Sequence, residues 1–186
     1  MSRRATVVSI LALGAAVSLA GDACHVASGT TRYLWDVPEI WRSAIWFPVL
    51  VAGGVLALAD TGRRLAGRFP PVRVRRRVDV MPAAAAVLGL YALTGALHGQ
   101  PEAVSVVLSG AVAVVIWGVW DPSPGAALGG AVAAVAGPLA EIAIVAAGAA
   151  QYTEGSDGLA GVAPWLPCLY FAAGAVAFRL WGALEY

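Results

Sequence analysis

"GAALGGAVAAVAGPLAEIAIVAAGAA", residues 125–150, is the stretch on which the fold turns. A helix crossing a roughly 30 Å hydrocarbon core needs about 20 mostly apolar residues. This run is longer than that, and its one ionisable side chain is Glu141. Pro138 removes a backbone hydrogen bond and Gly137 weakens the turn before it, which predicts a kink or local unwinding. Broken backbone at membrane depth survives only when it is buried in protein or lines a cavity. Glu141 follows the proline, about 24 Å along the helix from Gly125 at 1.5 Å per residue. A lone carboxyl among Ala, Val and Ile has no local partner, so it calls for a ligand, a water or a neighbouring helix.

Five further apolar runs flank this one, at 5–27, 44–61, 79–98, 103–120 and 163–184. The 186-residue chain is 60% hydrophobic and 12% charged, against about 25% charged in a soluble domain. The expected fold is therefore all-α: one domain over 1–186, a polytopic membrane protein built as a compact bundle of six transmembrane helices. The run from Ala5 to Gly21 exceeds the apolar core of a signal peptide and lacks a clean cleavage site, so it reads as a retained helix. Short connections at 98–102, 121–124 and 151–162 make neighbouring helices antiparallel. No internal repeat is visible, so the inverted-repeat mark of many transporters is missing.

All twelve basic residues are arginine, and seven lie in "GRRLAGRFPPVRVRRRV" at 62–78. With six spans, Arg3, Arg4 and Arg179 share a side with this linker. The other side receives Arg32 and Arg42, offset by Asp36 and Glu39. The positive-inside rule then puts both termini and the linker in the cytoplasm. The cluster reads first as a topology determinant and second as a site for anionic headgroups. It lacks the interleaved aromatics of a nucleic-acid site, so nucleic acid is not an expected partner. Arginine without lysine, with abundant Ala, Gly and Val, points to a GC-rich bacterial genome and a bacterial cell membrane.

Within "GDACHVASG" at 21–29, Asp22 and His25 stand three residues apart on one helix face. Counting from Arg4, Asp22 lies about 27 Å up the first helix, near the outer interface. The pair either caps and anchors that helix or frames the mouth of a pocket. His98 ends the third helix on the same side. Trp35, Trp41, Trp46 and Trp165 fit an outer aromatic belt and Trp120 an inner one; Trp117, one turn deeper, is placed to wall a cavity. In "WGVWDPSPG" at 117–125, Asp121 is a turn residue or an N-cap, or else an exposed acceptor for a partner protein. Small residues allow close helix packing and self-association, hence a homo-oligomer. Cys24 and Cys168 both fall toward the outer side, and free thiols are expected rather than a disulfide. No metal or cofactor is expected, because the Asp22–His25 pair lacks a third ligand. No nucleophile, base and oxyanion hole assemble, so no enzyme is expected. The alternative is a membrane enzyme acting on a lipid, with Asp22, His25 and Glu141 as acid–base groups. A small-solute transporter would need a midplane site, and these groups lie too high for one.

Several of these stretches together resemble the Insig (insulin-induced gene) family of six-helix membrane proteins. They are "GDACHVASGTTRYL" at 21–34, "WFP" at 46–48, "LTGALH" at 93–98, "WGVWD" at 117–121, "QYT" at 151–153 and "WLPCLYFAAG" at 165–174. The resemblance implies a sensor of membrane lipid. Eukaryotic members bind oxysterols, retain the escort protein Scap in the endoplasmic reticulum and promote degradation of HMG-CoA reductase. By the same resemblance Asp121 matches the family's Scap-contact aspartate and Trp117 a tryptophan beside the sterol. Leu93 stands where the family has a sterol-facing phenylalanine, and Val104 near its glutamine. The lipid-binding set expected on these grounds is Asp22, His25, Leu93, His98, Val104, Trp117 and Glu141, and the partner-binding residue is Asp121. The expected ligand is a sterol, a diacylglycerol or a related neutral lipid with one small head and large apolar walls to match.

Overall fold

The computed structural model describes residues 1–185 of the chain. Six helices carry it: α1 (Arg3–Ser28), α2 (Trp46–Arg64), α3 (Arg77–Ala96), α4 (Glu102–Trp120), α5 (Pro124–Ala146) and α6 (Leu166–Glu185). Five of them, all but α2, are long and apolar enough to cross a membrane. The exception is set by composition: the last turn and a half of α2 carries Asp60, Arg63 and Arg64, which leaves a shorter apolar stretch than the 44–61 span expected.

The helix ends have local chemical causes. The Ser2 hydroxyl accepts from the Ala5 N–H at 3.3 Å and caps α1. At the other end Gly29 takes φ +80° and donates its N–H to the Val26 carbonyl, the left-handed glycine stop that releases the chain from a helix. Ser123 caps α5 by accepting from Ala126 N–H at 3.1 Å, with Pro124 in the first helical position, where its missing N–H costs nothing. Pro138 does not unwind α5, which runs on as α-helix to Ala146. Of the expected kink or local unwinding, the unwinding is thereby corrected: proline removes one bond, and the bonds on either side carry the helix through.

Helix α5 also stops short of residue 150. Ala150–Tyr152 forms strand β4, antiparallel to β1 (Thr31–Tyr33), with Thr31 opposite Tyr152 and Tyr33 opposite Ala150. Thr153 extends the join, its N–H donating to Thr30 O at 3.0 Å and its hydroxyl to Gly29 O at 2.7 Å. This ribbon ties the α1–α2 connection to the α5–α6 connection at one end of the bundle. The chain between its strands also holds a second short hairpin, β2 (Glu39–Ile40) with β3 (Ser43–Ala44).

Helix α6 is the innermost. Most of its residues are buried, among them Leu169, Ala172, Val176, Phe178 and Leu180. It packs against α5 along Gly129, Gly130, Gly137 and Gly174; a Cβ on Gly174 would overlap Ala133 and the Gly129 carbonyl. Trp165, expected in an outer belt, is 3% exposed. The reason is its place at the start of the central helix, where its ring stands 5.0 Å from that of His25. Trp120 is buried likewise, whereas Trp35 and Trp41 are exposed. Cys24 and Cys168 are free and half-buried.

Gly174→Ala should therefore lower the thermal midpoint of the detergent-solubilised protein, by an overpacking cost of about 1–3 kcal/mol. Gly118→Ala, where a Cβ meets nothing within 4 Å, should leave the midpoint unchanged or raise it. Equal midpoints for the two variants would refute the tight α5–α6 seam.

Candidate functional site

Helices α2 and α5 stand apart above α6, and between them lies a groove of about 420 Å³. Leu50, Gly54 and Leu58 line it from α2, Val132, Ala136 and Ala140 from α5, and Ala173 and Ala177 from its floor on α6. Gly54, Ala136 and Ala140 are exposed, so the groove opens sideways, between the two helices. Its polar lining consists of Thr61 near one end, and Glu141, Tyr91 and Tyr170 at the other. Tyr170 donates its hydroxyl to Glu141 Oε1 at 2.9 Å.

At the Glu141 end the groove adjoins a small chamber of about 20 Å³. Phe47, Tyr91, Glu141, Ile144 and Tyr170 line both spaces. Asp22 and His25 belong to the chamber's lining, and the β1–β4 ribbon contributes Thr31, Arg32, Tyr33, Ala150 and Tyr152 to it. Tyr33 donates to Asp22 Oδ2 at 2.6 Å. Burial, with the Asp22 carboxylate beside it, pushes the Tyr33 phenol far above the ordinary tyrosine range, so it stays protonated and keeps donating. His25 Nε2 and Thr94 Oγ1 lie 2.8 Å apart, and the Thr94 hydroxyl is also 2.9 Å from the Tyr91 carbonyl. The rings of Tyr91 and Trp165 flank the imidazole.

Two polar atoms of chamber-lining residues have no partner: Thr31 Oγ1 and Trp46 Nε1, both buried. Ser43 Oγ, on β3, is a third buried atom without one. A buried polar atom left unpaired costs free energy, and a space of this size holds about one water molecule or one hydroxyl. The chamber is thus a polar recess with spare hydrogen-bonding capacity at the end of an apolar groove.

The structure brings Asp22, His25 and Glu141 together here. The other expected lipid contacts lie elsewhere. Leu93 packs against the core. His98 Nδ1 is 3.2 Å from Ser156 Oγ in the loops beyond the chamber. Val104 is 42% exposed on α4. Trp117 meets Phe171 edge-on, its Nε1–H pointing to Ser123 O at 3.4 Å. None of the four lines the groove or the chamber. Tyr33 and Tyr170, which do, are among the residues that sequence reasoning missed. Their only signal was a phenol within reach of an otherwise unpartnered carboxylate.

Asp121 is fully buried, which corrects the expectation of an exposed acceptor. Its Oδ2 pairs with Arg179 Nε at 2.7 Å and accepts from Ser123 Oγ at 2.6 Å. Its Oδ1 accepts the backbone N–H groups of Val72 and Arg73, at 2.9 and 3.1 Å. The carboxylate is enclosed because four donors from three parts of the chain converge on it. It fastens the α2–α3 linker to the bundle and leaves no oxygen facing outward.

No protein-family model matches the chain. The chain is 42% identical over 174 residues to an INSIG protein homolog of Mycolicibacterium vanbaalenii, spanning 93% of its own length and 83% of that protein's. The crystal structure of the mycobacterial Insig homolog MvINS from Mycobacterium vanbaalenii is similar at a TM-score of 0.89 and 41% identity, over 99% of this chain and 96% of that one. A cross-linked cysteine variant of MvINS, crystallised as a trimer, is similar at 0.89 and 40% identity, over 98% and 95%.

Asp121→Ala should destabilise the fold by roughly 3–5 kcal/mol, because it strands the buried Arg179 guanidinium. It should also free the linker, so that trypsin cuts within 73–77 faster than in the wild type. The double variant Asp121→Ala/Arg179→Leu should recover part of the lost midpoint. A single variant as stable and as protease-resistant as the wild type would show that the carboxylate anchors nothing.

Proposed function

The chain belongs to the Insig family of multi-pass membrane proteins, and we propose that it binds a neutral lipid in the groove between α2 and α5 and reports occupancy to a membrane-protein partner. It is a multi-pass protein of a bacterial cell membrane, as the apolar helices and the bacterial relative indicate. One observation carries the lipid reading: the polar chamber of Asp22, His25 and Glu141 adjoins, and shares its wall with, a groove that is otherwise apolar. Ligand sites typically measure about 300–1,000 Å³ and combine apolar walls with a few polar groups that fix orientation. A groove of 420 Å³ falls in that range.

The chamber selects the head. Its size admits a hydroxyl and excludes a phosphate. Its carboxylates accept from an alcohol, while the unpartnered Thr31 and Trp46 atoms offer further hydrogen bonds. A sterol or a diacylglycerol meets these demands, with its apolar body along Gly54, Ala136 and Ala140. The sideways opening lets such a molecule arrive from the bilayer.

Orientation follows from charge. The end formed by the α2–α3 linker holds ten of the twelve arginines and four of the eleven acidic residues; the opposite end holds the remaining two and seven. We assign the arginine-rich end, with both termini, to the cytoplasm. Partner regulation would then act through the surface that Asp121 organises, since its own carboxylate is enclosed. The trimeric MvINS variant supports self-association of this chain as well.

The convergence of three ionisable groups keeps a second reading, a lipid-modifying enzyme, in view. Each group is bound to its own partner, Asp22 to Tyr33, His25 to Thr94 and Glu141 to Tyr170. No proton relay runs among them, and binding is the simpler role.

Lipid extracted from the purified protein should contain a neutral lipid above the detergent background. Gly54→Trp, placed where a side chain meets open space, should reduce it several-fold with the thermal midpoint intact. Absence of bound lipid from the wild type would sink the proposal. For the enzymatic reading, the decisive assay is incubation with diacylglycerol: we expect the lipid to be recovered intact, and a product lost in Asp22→Asn would reverse the assignment.

A further inference from the structure

At the arginine-rich end, most carboxylates are already committed. Asp60 pairs with Arg63 and Arg64, each at 2.6 Å. Asp121 is held by Arg179. Asp79 accepts the Arg76 N–H at 2.9 Å, and Glu185 accepts the Trp181 indole N–H at 2.7 Å. Among the described residues, the guanidinium groups of Arg68, Arg73 and Arg76 form no ion pair, and all three residues are exposed.

These arginines ride on an anchored backbone. Asp121 grips the N–H groups of Val72 and Arg73. Arg75 donates to the Trp120 and Val119 carbonyls and lies over the Trp120 ring, 5.5 Å from its centroid. Arg77 donates to the Leu184 carbonyl at 2.7 Å. Between them stand Val72, Val74 and Val78, and Val74 and Val78 are 69% and 76% exposed. Met81, one turn into α3, is 65% exposed and continues the apolar side of the strip onto the helix.

Unpaired guanidinium groups alternating with bare valines, fixed in place at the end of a membrane-spanning helix, match one surface: the boundary of headgroups and acyl chains. We propose that the 68–78 segment is a docking strip for anionic phospholipids of the adjacent leaflet, in which Arg73 and Arg76 bind phosphate oxygens and the valines rest on the glycerol and upper acyl region. Guanidinium groups present paired donors that suit phosphate. Basic and apolar residues side by side are what interfacial segments use to lie in the headgroup plane. A soluble phosphate would satisfy the arginines and leave the valines in water. This site is separate from the groove, and its occupant carries the phosphate that the chamber excludes.

The full-length protein in mild detergent, given equimolar phosphatidylglycerol and phosphatidylcholine of matched acyl chains, tests the proposal by native mass spectrometry. The wild type should retain phosphatidylglycerol in preference. R73Q/R76Q should lose that preference by about 25-fold, since each arginine near an anionic surface contributes about a factor of five. R3Q/R4Q removes the same charge from the same end and should keep most of it, and Gly54→Trp should leave it unchanged. Equal retention of the two lipids by the wild type, or equal loss in R3Q/R4Q, overturns the assignment. A lower thermal midpoint for R73Q/R76Q without lipid overturns it too, by showing that these arginines serve the fold.

Discussion

The close approach of α5 to α6 governs the rest of the molecule. Two helices normally lie 8–10 Å apart, at a distance set by the side chains between them. Along this seam the intervening side chains are missing at Gly129, Gly130, Gly137 and Gly174. In a membrane that contact is stabilised by packing, because lipid tails are as apolar as the helix faces and no hydrophobic force drives association. Drawn close on α5, α6 becomes the central helix. Helix α2 also packs on α6 but hardly touches α5, and the space between them is the groove.

Polarity is arranged along the same axis. The buried carboxylates Asp22 and Glu141 cluster at the ribbon end, each bound by a tyrosine hydroxyl. The one buried ion pair among the described residues, Asp121 with Arg179, sits at the arginine-rich end. These two polar centres do different things. The first leaves atoms unsatisfied and space beside them. The second satisfies its carboxylate completely and holds a loop. Buried ionic groups at membrane depth are costly, and only the first has room for a guest.

The helices were legible because bilayer thickness imposes a length on any apolar run that crosses it. The meeting of Asp22, His25 and Glu141 was legible in part, since counting residues from the arginine-rich ends of the helices put all three at a similar height. Direction around each helix was not. Hydropathy cannot separate a residue facing lipid from one facing the core, and so Trp165 and Trp120 were read as belt residues. The β1–β4 ribbon was invisible for another reason. Its three-residue strands lie in separate connections, and no local pattern records which strand pairs with which. Asp121 shows both sides of this: its turn chemistry stood in "WDPSPG", whereas the N-cap of α5 proved to be Ser123, and its partner Arg179, 58 residues later, was not legible.

The ribbon has one more effect. With backbone hydrogen bonds joining Thr31–Tyr33 to Ala150–Tyr152 in the chamber's wall, the ribbon stands on one side of the recess and the groove adjoins it on another. On the proposed reading, a guest for the recess would first dissolve in the bilayer. Fractional filling would then follow the abundance of that molecule per unit area of membrane and ignore its far smaller concentration in solution, so a protein working as proposed would read the composition of the sheet in which it is embedded.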